Sequence, residues 1–177
     1  GTIAVQLAKH LGANVTATTS TKNIELVRSL GADKVIDYTK ENYLDEPSKF
    51  DVVYDTLGGK FTLDSFKILV SGGRVISIAG ELDSITAKQL GLNKIISFIL
   101  ALKARKITKK ASKMNALYRF LLMVPSGSQL KELATFYESG SIKPVIDKTY
   151  GFDSSIQALE YLSKGRAKGK VIVNLID

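Results

Sequence analysis

The 177-residue sequence contains no cysteine, a single histidine and three prolines. Without cysteine, disulfides, thiolate zinc sites and a cysteine nucleophile are excluded within this chain. One histidine, His10, cannot build a metal cluster. It stands near the end of a helical stretch beside Gly12, where a structural or solvent-facing role is expected. No apolar run reaches the length of a membrane-crossing helix, and no secretory leader is visible. A reducing, cytoplasmic setting is expected. The sequence also lacks an initiator methionine and reads as a C-terminal fragment.

What is present is a basic, moderately apolar chain. Hydrophobic residues make up 45% and charged residues 24%, which suits one globular domain or one domain plus part of another. The formal net charge is +8, and Lys103, Arg105, Lys106, Lys109, Lys110 and Lys113 supply much of it within eleven residues. Such charge can serve nucleic acid, an anionic membrane or a phosphate-bearing cofactor.

The first forty residues read as helix, strand, helix, strand. Ile3, Ala4, Leu7, Ala8 and Leu11 fall at helical spacing, and Gly12 ends that helix. Asn14–Ser20 is β-rich, a second helix covers Asn23–Leu30, and Lys34–Tyr38 is a second strand. This is half of a nucleotide-binding unit whose first strand and glycine turn are missing, leaving only Gly1. Further strands are expected at Phe50–Asp55 and Arg74–Gly80, with a helix at Phe61–Val70 between them. Residues 84–113 read as irregularly helical, Leu117–Val124 as a buried strand, and Gln129–Glu138 as an amphipathic helix. Ile142–Tyr150, Ser154–Leu162 and Lys170–Ile176 read as strand, helix, strand. The alternation predicts an α/β, Rossmann-type doubly wound parallel sheet. A boundary is placed near Ser139, because the tail after it is too small to hold its own core.

A dinucleotide site rests its pyrophosphate on the N-terminus of the first helix. An acid at the end of the second strand would hold the ribose 2′-hydroxyl of NAD and repel a 2′-phosphate. Here Thr19, Ser20, Thr21, Lys22 and Asn23 occupy that place, and the next acid is Glu25. Hydroxyls, a cation and a helix start suit a phosphate dianion, so NADPH is the expected cofactor. Ser20 or Thr21 also fits as the N-cap of the following helix, and the two roles are compatible.

Thr2–Ala13, Ser20–Ala32 with Val35–Tyr38, Phe50–Gly58, Gly72–Gly80 and Gly165–Val173 resemble the zinc-independent medium-chain dehydrogenase/reductase superfamily. Within it, the chain is most similar to NADPH-dependent quinone oxidoreductases and enone or alkenal reductases. The resemblance implies that 1–139 is a truncated NADP-binding domain and that 140–177 returns to a GroES-like catalytic domain. It places Ser20, Thr21, Lys22 and Asn23 at the adenosine 2′-phosphate. The family often has lysine where Asn23 stands, and Lys22 is one residue early, so either can reach the phosphate. Tyr38 resembles a tyrosine contacting the same phosphate; on burial habits alone it fits a packed strand-end aromatic equally. Ile78 falls where the cofactor's far half crosses the sheet. Phe120, Leu121 and Leu122 resemble the segment whose backbone faces the nicotinamide; by pattern alone they are core. Arg166 and Ala167 match a C-terminal motif that returns to the cofactor, although by pattern alone this is a solvated loop.

The implied activity is NADPH-dependent reduction of a quinone or an α,β-unsaturated carbonyl, without a metal, and with a homodimer as the full-length form. No catalytic acid is identified, because in this family most substrate-facing residues come from the N-terminal domain. The basic 103–113 run is expected to be a solvated helical excursion. It lacks interleaved aromatics, and neither nucleic acid nor membrane is an expected partner. The competing readings are a non-catalytic module using that run on RNA or anionic lipid, and a zinc-type alcohol dehydrogenase relative. Strands near Val15 and Val52 are expected to lose the neighbour between them, which predicts weak folding or swapped dimers.

Overall fold

The computed structural model describes residues 1–47 and 49–176. Their first elements are α1 (Thr2–His10), β1 (Thr16–Thr19), α2 (Ile24–Ser29), β2 (Lys34–Asp37), β3 (Phe50–Asp55), α3 (Lys60–Ser65) and β4 (Leu69–Ser77). After these come α4 (Ser84–Gln89), α5 (Lys94–Lys113), β5 (Leu117–Phe120), α6 (Gly127–Glu138), β6 (Ile146–Gly151), α7 (Ser155–Ser163) and β7 (Lys170–Asn174). Contacts divide the chain into two units, Gly1–Tyr43 with Ser126–Asp177, and Leu44–Pro125. Every strand pair is parallel: β1 with β2, β3 with β4, β4 with β5, and β6 with β7. Parallel strands alternating with helices make this the expected α/β, Rossmann-like fold.

In the first unit, Thr16 lies opposite Lys34 and Thr19 opposite Asp37. Asp33 fixes the approach to this pair. It accepts Lys9 Nζ at 2.5 Å and the backbone N–H of Val15 at 2.7 Å. The buried Gln6 side chain reaches the other part of the same unit. Its Nε2 donates to the Lys143 carbonyl at 2.9 Å, and its Oε1 accepts the Lys143 N–H at 2.8 Å. His10, as expected, has a structural contact: its ring sits 4.7 Å from that of Phe136.

The second unit holds a core of Phe66, Leu69, Val75, Ile107, Ala111 and Tyr118. Phe66 and Val75 are fully buried, each contributing about 1.5–3 kcal/mol relative to exposure. The second half of α5 completes this core, whereas its first half leaves Ile95 and Phe98 exposed. Lys110 is part of the packing rather than of a free basic face. Its Nζ donates to the Leu63 carbonyl at 2.7 Å and lies 6.0 Å from the centre of the Phe66 ring.

Several element bounds differ from the sequence expectation. The helix expected at Phe61–Val70 stops at Ser65, and Leu69 and Val70 already belong to β4. The Ser71–Gly73 segment is absorbed as a bulge: Phe50 pairs with Leu69, but Val52 pairs with Arg74. Residues 84–113 form two regular helices, separated by Gly91 and capped by Asp83 and Asn93. β5 ends at Phe120, and Leu121–Val124 are exposed rather than a buried strand. The strand expected from Ile142 starts at Ile146. Among the described residues β1 pairs only with β2 and β3 only with β4, so each has one unpaired edge.

Candidate functional site

A cavity of about 450 Å³ opens in the first unit at the N-terminus of α1. Gly1, Thr19, Asn23, Ala167, Lys168 and Lys170 line it together with apolar residues of α1 and α2 such as Ile3 and Leu26. Three residues expected at the cofactor from separate parts of the sequence, Gly1, Asn23 and Ala167, are thus brought to one cavity. Gly1 is the N-cap of α1 and has no side chain, so the first amides of the helix are free of a side-chain cap.

Behind β1 the chain makes a single 3₁₀ turn, Thr21–Asn23, before α2. Ser20 holds the N-cap position in extended conformation, but its hydroxyl makes no capping bond. Instead it accepts Asn23 Nδ2 at 3.3 Å. This leaves Asn23 Oδ1 buried without a partner, a polar atom available to a ligand hydroxyl. If the amide turns over, with the Ser20 hydroxyl donating to Oδ1, the N–H₂ becomes the free group and suits a phosphate oxygen. Lys22 is exposed, and Tyr38 is 60% exposed rather than packed on a helix.

Thr21 is committed elsewhere. Its hydroxyl donates to Asp37 Oδ2 at 2.5 Å, tying the turn to the end of β2. Asp37 also accepts the Thr39 N–H at 3.0 Å and the Thr39 hydroxyl at 2.6 Å. The hydroxyls of Thr21 and then Thr39 hold this buried carboxyl below the usual carboxylate range. The carboxylate is saturated from within and does not offer itself to a ribose.

The 165–170 loop is held by Asp147, which accepts Tyr161 Oη at 2.7 Å and the Lys168 N–H at 3.1 Å. Gly169 lets the loop press on β6's approach, because a Cβ there would lie 2.2 Å from the Val145 carbonyl oxygen. Ala167 lines the cavity, while Arg166 is exposed.

Ile78 and Phe120–Leu122 belong to the second unit, at the C-terminal ends of β4 and β5. Ile78 is 43%, Leu121 54% and Leu122 41% exposed, so these are surface residues, not core. The ends of the three strands are cross-braced. Asp55 accepts Thr62 Oγ1 at 2.5 Å, Ser77 Oγ at 2.8 Å and the N–H groups of Leu57 and Gly58. Burial pushes the Asp55 carboxyl up, but these four bonds outweigh it and hold it below the usual range. The Ile78 N–H donates to the Asp55 carbonyl at 3.0 Å and the Leu121 N–H to the Ser77 carbonyl at 2.8 Å.

Sequence reasoning missed Lys168, Lys170, Asp37, Asp55 and Asp83 as parts of these sites. The lysines sit in the quoted Gly165–Lys170 motif, but their side of the loop is set by Gly169. Asp37 and Asp55 stand at strand ends, a signal available in the sequence, and Asp83 stands at the N-cap of α4. The described residues hold no group of three or more His, Cys, Asp or Glu able to share a metal, and there is no cysteine.

Residues 30–173 match the family model described as zinc-binding dehydrogenase. The chain is 38% identical to 2-methylene-furan-3-one reductase of Solanum lycopersicum, over 99% of this chain and 38% of that protein. It is 36% identical to the NADPH-dependent alkenal/one oxidoreductase, chloroplastic, of Arabidopsis thaliana, over 98% of this chain and 37% of the relative. Among solved structures it resembles the quinone oxidoreductase from Coxiella burnetii with a TM-score of 0.75 at 23% identity, covering 98% of this chain and 49% of that one. That last likeness concerns the fold. The chain spans less than half the length of these proteins.

Proposed function

The chain belongs to the zinc-binding dehydrogenase family, within the medium-chain dehydrogenases/reductases, and from that premise we propose that it is the NADPH-binding part of a zinc-independent reductase of quinones or α,β-unsaturated carbonyls. The observation that carries the reading is the meeting of Gly1, Asn23 and Ala167 at one cavity on the N-terminus of α1. Both curated relatives described above are named reductases or oxidoreductases, one of them NADPH-dependent. In domain terms, 1–139 is the cofactor domain and 140–177 the return to the catalytic domain.

On this reading the free amides of α1 receive the pyrophosphate, and Lys168 and Lys170 add positive charge at the same cavity. Ser20, Lys22, Asn23 and Tyr38 serve the adenosine 2′-phosphate. Lys22 is the cation, Tyr38 an exposed hydroxyl donor, and Asn23 the amide with an unmatched atom. Thr21 supports the turn through Asp37 instead of touching the phosphate. Arg166 is an exposed cation next to the loop residue Ala167. Ile78 and the backbone of 120–122 serve the nicotinamide. When bound, the cofactor supplies hydride to the electron-poor carbon of the conjugated acceptor. The chain's own share is orientation of the reactants. A proton then reaches the resulting enolate from solvent or a side chain outside the residues named here. A homodimer is part of the proposal.

The test is NADPH oxidation by the protein that carries this chain, across a panel of quinones, enones and alkenals. Turnover with conjugated acceptors and none with simple alcohols supports the reading. Turnover of alcohols alone with a zinc requirement overturns it.

A further inference from the structure

α5 has two faces of opposite character. Ala104, Ile107 and Ala111 are buried on one side, the last two within the core of the second unit. On the other side Ile95, Ile99, Leu102, Lys106, Lys109 and Lys113 succeed one another at alternating steps of four and three residues, the spacing of one straight stripe on an α-helix. All six are exposed. The stripe runs for about 27 Å at a rise of about 1.5 Å per residue, and it changes chemistry half-way. Its first half is wholly apolar, with Phe98 exposed beside it, and its second half is wholly cationic. Lys103 and Arg105 are exposed on the two flanks of Leu102, where the apolar half ends.

The surroundings do not neutralise this charge. From Ser84 to Pro125 the sequence holds nine lysines and arginines and no acid. Two of the nine are engaged in the fold, Lys110 at the Leu63 carbonyl and Arg119 with its Nε 3.8 Å from Asp83. The expectation of a solvated excursion rests on the cations alone, but a helix face turned to water carries polar residues, and half of this one is Ile, Ile and Leu. A partner for the whole stripe has to be apolar and anionic side by side. RNA supplies phosphates but nothing for Ile95 and Ile99. A second copy supplies apolar residues but no acid, because antiparallel pairing along the stripe sets the cations of one copy on the apolar half of the other. An anionic bilayer surface supplies both, an acyl boundary and a layer of negative headgroups. No helix among the described residues is long and apolar enough to cross a membrane, so α5 meets a bilayer only at its interface.

We propose that α5 is a peripheral docking element for an anionic lipid surface. Ile95, Ile99 and Leu102 enter the boundary between headgroups and acyl chains, and Lys106, Lys109 and Lys113 meet the lipid phosphates. Lys103 and Arg105 extend along the flanks of Leu102 with their stems on the apolar layer and their charges at headgroup level. The proposal is independent of the cofactor reading, since none of these residues lines the cavity at α1.

The experiment is cosedimentation of the protein that carries this chain with vesicles of phosphatidylcholine and phosphatidylserine at about three to one, against vesicles of phosphatidylcholine alone. The parent is expected to sediment with the mixed vesicles and to be released by raised salt. Lys106→Gln, Lys109→Gln and Lys113→Gln together should weaken binding about a hundredfold, at about fivefold per cation. Ile99→Ser with Leu102→Ser should weaken it at least about tenfold with every cation in place. All five positions are exposed, and unchanged thermal midpoints confirm that the fold is intact in both variants. A parent that stays in solution with the mixed vesicles overturns the proposal, and concentration-dependent dimers in that case assign the stripe to a second copy. Binding untouched by the two serines also overturns it. So does binding of polyuridylate that is tighter than vesicle binding and lost in the lysine variant alone, which assigns the stripe to nucleic acid.

Discussion

The Thr21 hydroxyl donates to Asp37 Oδ2 across 2.5 Å and so joins the turn behind β1 to the end of β2. The turn that presents Ser20, Lys22 and Asn23 is therefore not held by its own capping bonds, which are absent, but by a buried carboxylate from the neighbouring strand. Thr21→Val removes the donor and leaves the acceptor under-satisfied. It should lower the thermal midpoint by about 3–6 °C and weaken 2′,5′-ADP binding, whereas Thr21→Ser should do neither. Calorimetry and a binding titration read both effects. Loss of stability without loss of binding would show that the turn needs no brace.

Two buried carboxylates of the second unit, one at the end of β3 and one at the start of α4, set an acid limit on stability. Asp55 and Asp83 are both held below the usual carboxylate range in the folded chain. Unfolded aspartate titrates near about 3.9, so at lower pH the unfolded state takes up protons first. Stability from these groups is present above that value and is lost as pH falls through their lower folded values. Urea midpoints should stay level from about pH 7 to 5 and drop below about pH 4. Asp55→Asn should be less stable near neutrality and show a shallower acid drop. An equal drop in parent and variant would assign the acid transition to other groups.

Two adjacent glycines should respond unequally to alanine. A Cβ at Gly58 would lie 2.1 Å from the Ala79 carbonyl oxygen, whereas Gly59 has nothing within 4 Å. Both have positive φ. Gly59→Ala should cost about 1 kcal/mol, from backbone strain alone, and Gly58→Ala several times more. Denaturant unfolding separates the two. Equal costs would mean that the 55–59 turn shifts away from β4 freely.

The basic run of α5 offers a test between functional classes. Lys110 is tied to Leu63 and Phe66, so the informative changes are Arg105→Gln, Lys106→Gln and Lys109→Gln, all at exposed positions. The triple variant should bind NADPH within about twofold of the parent, since exposed charges outside the site act weakly through screened solvent. Unchanged NADPH binding together with lost RNA binding would instead favour a non-catalytic module.

Much of this was legible in the sequence because the alternation of helix and strand is a local signal. Phe50–Asp55 was recovered residue for residue, and the short spacing implied parallel pairing. What escaped depended on tertiary partners. Leu69 and Val70 continue the helical pattern of Phe61, yet they belong to β4, where Leu69 pairs with Phe50 and a bulge at Ser71–Gly73 shifts the register beyond it. Leu121–Val124 are as apolar as a buried strand, but β5's ladder with β4 ends at Phe120, opposite Ser77. At the site, the residue types around 20–23 were informative, while their division of labour was not. Only the approach of Asp37 shows that Thr21 faces the protein and that Asn23 retains an unmatched atom. Asp83 caps α4 through local bonds, but its bond to Phe120 spans 37 residues and has no local signature.

The most direct test of the central claim is a titration of the chain with NADPH and with NADH, followed by nicotinamide fluorescence, for the parent and for Lys22→Ala and Tyr38→Phe. A 2′-phosphate site predicts at least a tenfold preference for NADPH, a factor of ten being about 1.4 kcal/mol, and both variants should lose most of it while leaving NADH affinity unchanged. Equal affinity for the two cofactors, or a preference untouched by both variants, would contradict the assignment of residues 20–23 and 38.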